Sequence, residues 1–312
     1  MTLQCAIDQY VTFRQTLGER CLVNGGILRS LCRKLGENVA LEDVSADAVN
    51  VFLVGAGELT SSWHVKYNAL LGFYRYALSR NLVDKSPLPV IVPKRPPAFD
   101  PYIYSQDEIR RLIALTASYQ RNRSTMDPFA VRTILLVMYG AALRTSEALS
   151  LTLGNVNLPD AVLTIRDSKF FKSRVVPIGP KLAATLAEYA RTHRNGVEES
   201  NAPFFVMRNG HPINISTLEN SFQRLREHAG IHRSDGARYQ PRLHDLRHSS
   251  AVHRLTSWYR EGKDVQQLLP QLSVYLGHTY LAATQTYLTM TPELLHQASV
   301  WFEHYVCEGG RA

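Results

Sequence analysis

Asp84-Lys85-Ser86-Pro87-Leu88-Pro89-Val90-Ile91-Val92-Pro93-Lys94-Arg95-Pro96-Pro97-Ala98-Phe99-Asp100-Pro101 divides this chain. Six of these residues are proline. Each restricts φ and lacks an amide N–H, so no helix crosses the stretch and the backbone takes an extended, semi-rigid path. A length of 312 residues suits two domains of unequal size. The reading is an N-terminal domain over 1–86, a linker over 87–101 and a C-terminal domain over 102–312.

Upstream of the prolines, apolar periodicity predicts four short helices, Leu3–Leu17, Leu22–Leu35, Ser45–Val54 and Thr60–Ser79. In the last, Trp63, Tyr67, Leu70, Leu71, Tyr74 and Leu78 form a core stripe, which leaves Lys66, Arg75 and Arg80 to face a polyanion. Downstream, Ser105 precedes acids in a first helical turn and reads as a cap. Helices are expected over Gln106–Ala117 and Pro128–Tyr139, and another near Thr145. One β interruption follows: Ala161–Ile165 and Arg174–Ile178 flank a polar connection and predict a hairpin. Helices resume near Pro180–Ala190, Ser216–Ala229, Leu243–Tyr259, Val265–Leu276 and Pro292–Val306. The expected fold is therefore mainly α with a small β-sheet.

Composition excludes disorder: 45% of residues are hydrophobic and 20% charged. The net charge of +8 favours a polyanionic partner, and Lys and Arg outnumber Asp and Glu on both sides of residue 95. Cys5, Cys21, Cys32 and Cys307 have neither CxxC spacing nor histidines paired with them as a zinc site requires, and read as buried or free thiols. With no signal-like start and no run of 18 apolar residues, a cytoplasmic protein without membrane contact is expected.

Four separated signals carry chemistry: Leu143-Arg144-Thr145-Ser146-Glu147, the hairpin lysine Lys169, His244-Asp245-Leu246-Arg247-His248, and Leu276-Gly277-His278 with Tyr287 nine residues on. Singly each has an ordinary reading: a surface ion pair, a solvated hairpin tip, a half-buried aromatic. His244 and His248 share a helical face and could suggest a metal pair, but the glutamate of an HExxH motif is missing. Jointly the residues supply what phosphodiester transesterification needs. Two guanidiniums can clamp nonbridging oxygens, an imidazole can accept a phenol proton, a lysine can protonate a leaving 5′ oxygen, and a phenol can form the ester.

On these motifs, in this order and spacing, the chain resembles the tyrosine recombinases of the lambda-integrase type, over nearly its whole length. The resemblance implies Arg144 and Arg247 as the two catalytic arginines, Lys169 as the hairpin lysine, with Lys172 its rival, and His244 as general base. It further implies His278 as the second active-site histidine and Tyr287 as nucleophile, with Glu147 as a subsidiary orienting acid. It implies a helical, SAM-like N-terminal core-binding domain and a recombinase catalytic domain forming a C-shaped clamp on duplex DNA. No metal or cofactor is implied. The partners implied are DNA with specific recombination sites, three further copies in a synapsed tetramer, and accessory proteins; Pro292–Val306 either docks on a neighbouring copy, as the resemblance implies, or packs on its own chain. A departure lies between the His-x-x-Arg and Leu-Gly-His motifs, where Thr256–Lys263 and Leu269–Leu272 make the connection longer than in chromosome-resolving members. An arginine-rich run from Phe222 to Arg254 reads as phosphate-contacting. Type IB topoisomerases share the catalytic design and are the alternative enzyme; a non-catalytic DNA-binding accessory factor is the alternative from another class.

Overall fold

Hydroxyl and carboxylate side chains start several of the helices in the computed structural model, which describes residues 1–55, 59–96, 100–119, 124–166, 173–290, 294–296, 299–300 and 303. Thr2 caps α1 (Leu3–Thr16), Ser45 caps α3 (Ala46–Val54) and Asp264 caps α11 (Val265–Leu276), each side chain accepting a backbone N–H of the first turn. Ser105 and Glu108 form a reciprocal capping box on α5 (Gln106–Leu115). Asp127 accepts from Phe129 and Ala130 at the head of α6 (Pro128–Gly140), where Pro128 occupies a position with no helical bond to lose.

The chain divides into two units, Met1–Phe99 and Asp100–Ala312. In the first, α1, α2 (Leu22–Leu35), α3 and α4 (Ser61–Ser79) bury Leu3, Ile7, Leu28, Leu31, Phe52, Leu70, Phe73 and Tyr74 in one core. The stripe expected on α4 points inward at Trp63, Leu70 and Tyr74, while Leu78 lies outside it at 36% exposure. Lys66 corrects the polyanion-facing expectation: its Nζ donates to the Phe52 carbonyl at 2.8 Å and lies over the Phe52 ring, so this amine closes the end of α3 onto α4. Arg75 is exposed, and exposed Arg80 lies near the rings of Phe13 and Tyr76.

The second unit is helical around a three-stranded antiparallel sheet, β1 (Val156–Asn157), β2 (Val162–Ile165) and β3 (Arg174–Pro177), in the order β1-β2-β3. The sequence predicted a two-stranded hairpin; β1 is a two-residue addition paired with β2. Leu163 faces Val176 across the ladder, and both are fully buried. After α7 (Thr145–Leu149) and the sheet come α8 (Pro180–His193), α9 (Ile215–His228), α10 (Asp245–Arg260), α11 and the short α12 (Ala282–Gln285). The main core gathers α6, α8, α9 and the sheet. A second cluster joins α10 and α11 through Ala251, Val252, Leu255, Leu269, Leu272 and Leu276, and Tyr287 is part of it. No helix among the described residues is long and apolar enough to cross a membrane. Lys169 and Lys172 lie outside the described residues, as does most of Pro292–Val306.

Candidate active site

The end of α6 shapes the first half of the site. Ala142 sits in the left-handed region at φ +50°, where an L-residue costs about 1–2 kcal/mol. Its carbonyl accepts from Arg247 Nη1 at 2.5 Å. Two residues on, Arg144 is the extended residue preceding α7. Its backbone N–H donates to Glu147 Oε2 at 3.0 Å, its Nη1 to Glu147 Oε1 at 2.5 Å and its Nη2 to the Gly277 carbonyl at 2.9 Å.

Glu147 is the hub. Besides Arg144 it accepts both terminal nitrogens of Arg174, at 3.0 and 2.9 Å, in a side-by-side fork. Arg247 Nη1 lies 3.7 Å away. Burial raises its carboxyl pKa, but the Arg174 hydrogen bonds, the Arg144 N–H and both arginine charges outweigh that and hold it at about 2. Three guanidiniums therefore surround one carboxylate, and the cage carries 3 − 1 = 2 positive charges in excess. Arg174 also donates Nε to the Tyr275 carbonyl at 3.0 Å. It packs against Gly277, which ends α11 at φ +66°. A Cβ there would stand 2.7 Å from Arg174 Nη1.

Arg247, 1% exposed, is the bulkiest fully buried side chain described. Its terminal nitrogens bond the carbonyls of Ala142 and Leu276, tying α10 to the ends of α6 and α11. Burial, then the like charge of Arg144, lowers its pKa to about 10, which leaves it a cation at neutral pH. The start of α10 is fixed by Asp245, wholly buried, which accepts from the Arg242 backbone N–H at 2.8 Å and Nη2 at 3.0 Å.

The aromatic half faces this cage. Tyr287, 2% exposed, lies on the short 3-10 turn Thr286–Thr289, and its hydroxyl meets His248 Nδ1 at 3.0 Å. His244 packs edge-on against His248, ring centres 5.0 Å apart. His278 lies near-parallel to the Tyr287 ring at 6.1 Å and pairs Nδ1 with the buried Thr284 hydroxyl at 2.7 Å. With Thr284 donating, the His278 proton sits on Nε2 and is free to point at an acceptor. Burial, then positive neighbours, lowers all three imidazoles, His248 to about 3 and His278 to about 4. Burial raises the Tyr287 phenol, so it is neutral at neutral pH.

Arg144, Arg247, His244, His278, Tyr287 and Glu147 thus converge from α7, α10, the end of α11 and the 3-10 turn. Sequence reasoning missed two members of the cluster. Arg174 was read only as a strand residue, although a cation opening a strand just after the hairpin tip was visible. His248 was weighed only as one of a metal pair, although its four-residue offset from His244 already put both on one face.

The phage integrase family model matches residues 103–293. The integrase/recombinase y4rB of Sinorhizobium fredii is 33% identical over 242 residues, 76% of this chain and 77% of that protein. Tyrosine recombinase XerD of Pseudomonas aeruginosa is 30% identical over 263 residues, covering 81% and 80%. Among solved structures, a lambda integrase dimer bound to a core site aligns with TM-score 0.63 at 17% identity, over 90% of this chain and 96% of the other. The Tn1549 transposon integrase in complex with transposon right end DNA aligns with TM-score 0.67 at 13% identity, over 98% and 100%. Those structural likenesses carry the fold. The extent of the family match and the identity to these relatives carry the membership: the chain belongs to the phage integrase family and is a tyrosine recombinase.

Proposed function

We propose that this recombinase cleaves and rejoins duplex DNA at specific sites through a 3′-phosphotyrosyl bond to Tyr287, and that it serves the integration, excision or transposition of a mobile element. The observation that carries the chemistry is the cage of Arg144, Arg174 and Arg247 around Glu147, with two excess positive charges beside a buried phenol. A buried positive excess favours an anion, and a scissile phosphate gains charge on its nonbridging oxygens as the phosphorus becomes pentavalent.

Tyr287 Oη attacks phosphorus, its O–H bond breaks, and the bond from phosphorus to the 5′ oxygen breaks in turn. Arg144 and Arg247 donate to the nonbridging oxygens through N–H groups not used by Glu147, Ala142, Gly277 and Leu276. His278 adds a donor through Nε2. His244 takes the phenol proton, and Lys169, with Lys172 as its rival, protonates the leaving 5′-hydroxyl. The phosphotyrosyl ester conserves the energy of the broken phosphodiester bond, so a 5′-hydroxyl from a partner strand reverses the step without ATP. Duplex DNA carrying the recombination sites is the substrate, a homotetramer on two synapsed duplexes is the working form, and accessory proteins set direction.

Incubating the protein with two site-bearing duplexes in EDTA tests this. Recombinant strands are expected at the rate seen with Mg²⁺. Supercoil relaxation without recombinants would identify a type IB topoisomerase instead, and binding without any cleavage an accessory factor.

A further inference from the structure

We propose that His248 is the positioning residue of the nucleophile: its Nδ1 accepts the Tyr287 O–H and holds the phenol oxygen at the place from which it attacks. This deepens the reading of Tyr287 as nucleophile and rests on it: His248 holds the hydroxyl before attack, and His244 stays the base that takes the proton as the bond to phosphorus forms.

The Tyr287 ring is seated among Leu255, Leu276 and the other apolar residues joining α10 and α11. An apolar seat fixes where a ring lies and leaves the direction of its hydroxyl open, because dispersion contacts are non-directional. The backbone beneath it is a four-residue 3-10 turn, a short element with poorer hydrogen-bond geometry than an α-helix. A directional partner is therefore needed, and His248 supplies one at 3.0 Å from α10.

That partner is itself held firmly. His248 directly follows Arg247, whose guanidinium is bonded to Ala142 and Leu276, and comes three residues after the buried Asp245, which holds the Arg242 backbone N–H. One turn of one helix thus carries both a phosphate clamp and the acceptor for the attacking oxygen, so their separation is set by rigid backbone. Both partners are neutral at neutral pH. The imidazolium form is disfavoured first by burial, then by His244, Arg247, Arg242 and His278, and the phenol keeps its proton. With the single imidazole proton on Nε2, Nδ1 is left to accept and Tyr287 donates.

Two variants separate a hydrogen bond from mere packing. Asn places an amide oxygen close to where Nδ1 stands, whereas Leu keeps bulk and removes the acceptor. At saturating suicide duplex, His248→Leu is expected to cleave roughly 10- to 100-fold more slowly, the scale of a misplaced reacting group, with duplex Kd unchanged. His248→Asn is expected to recover most of that rate. Leu cleaving like the parent, or Asn no faster than Leu, would overturn the proposal. A readout independent of activity, and of whether the Leu variant folds, is the imidazole ¹⁵N spectrum of the full chain. The His248 Nδ1 resonance, identified by its loss in His248→Asn, should shift in Tyr287→Phe, and an unmoved resonance overturns the contact. Tyr287→Phe in the same cleavage assay keeps the two readings apart. If it still forms the adduct, the nucleophile assignment fails; if it does not and His248→Leu is unaffected, only the role of His248 fails.

Discussion

Glu147 and Arg174 show how a buried charge can be stabilised without neutralising the site. The fork between them satisfies both carboxylate oxygens, and Arg144 and Arg247 then lie against a carboxylate whose orientation is fixed. Removing one partner of a buried pair leaves the other desolvated, so Arg174→Met should destabilise the protein by about 3 kcal/mol at neutral pH. The sign of the pH dependence follows from the carboxyl. Its folded pKa, about 2, lies below the ordinary 4.5, so its contribution is full above 4.5 and is lost as pH falls towards 2. In the variant, burial acts against fewer hydrogen bonds, the carboxyl rises, and that contribution shrinks. Thermal melts of parent and variant should therefore differ most at pH 7, draw together below pH 4.5 and converge only as pH approaches 2. A Tm difference that is constant across this range would show that the fork does not set the Glu147 pKa.

At the scale of elements, the site is assembled at ends: the end of α6, the first turn of α7, the first turn of α10 and the last turn of α11. Gly277 is the tightest of these joints, since its left-handed conformation stops α11 and its missing Cβ admits the Arg174 guanidinium. Gly277→Ala should cost about 1–2 kcal/mol from the conformation alone. It should also depress cleavage, because Arg174 must move away from Glu147. Denaturant midpoints and single-turnover cleavage measure the two effects, and a variant with parental values in both would remove the joint from the account.

Helix positions were largely legible in the sequence because apolar periodicity and caps are local. Leu22–Leu35 and Val265–Leu276 were read to the residue. Strand β1 was not legible, since two residues carry no alternation and the pairing with β2 comes from the fold. The same distinction holds within the site. Arg144, Arg247, His278 and Tyr287 announce themselves through motif and spacing. The fork of Arg174 spans 27 residues to Glu147, and the His248 contact spans 39 to Tyr287; neither has a local signature. Lys66 failed as a polyanion-facing residue for a related reason: the carbonyl it bonds belongs to a different helix.

For the whole molecule, the excess of +8 is spread over both units and suits a partner bound mainly through its phosphates. Association with duplex DNA should weaken linearly in log affinity against log salt. If 6–10 phosphates are neutralised, roughly 10³–10⁵ in affinity is lost between about 50 and 200 mM salt. Charge-removing variants of the exposed Arg75 in the first unit and of Arg254 in the second should each lower the slope. A response that is flat with salt would rule out backbone neutralisation as the basis of binding.

The central claim is that one phenol, held beside a cage of three arginines, becomes covalently joined to DNA. The most direct measurement uses a suicide duplex, nicked so that the 5′-hydroxyl strand diffuses away, followed by digestion of the trapped protein–DNA adduct and mass mapping of the modified peptide. The account predicts a 3′-phosphoryl adduct on Tyr287 that disappears in Tyr287→Phe while duplex binding survives. An adduct on Tyr280 or any other residue, or one that persists in Tyr287→Phe, would contradict it.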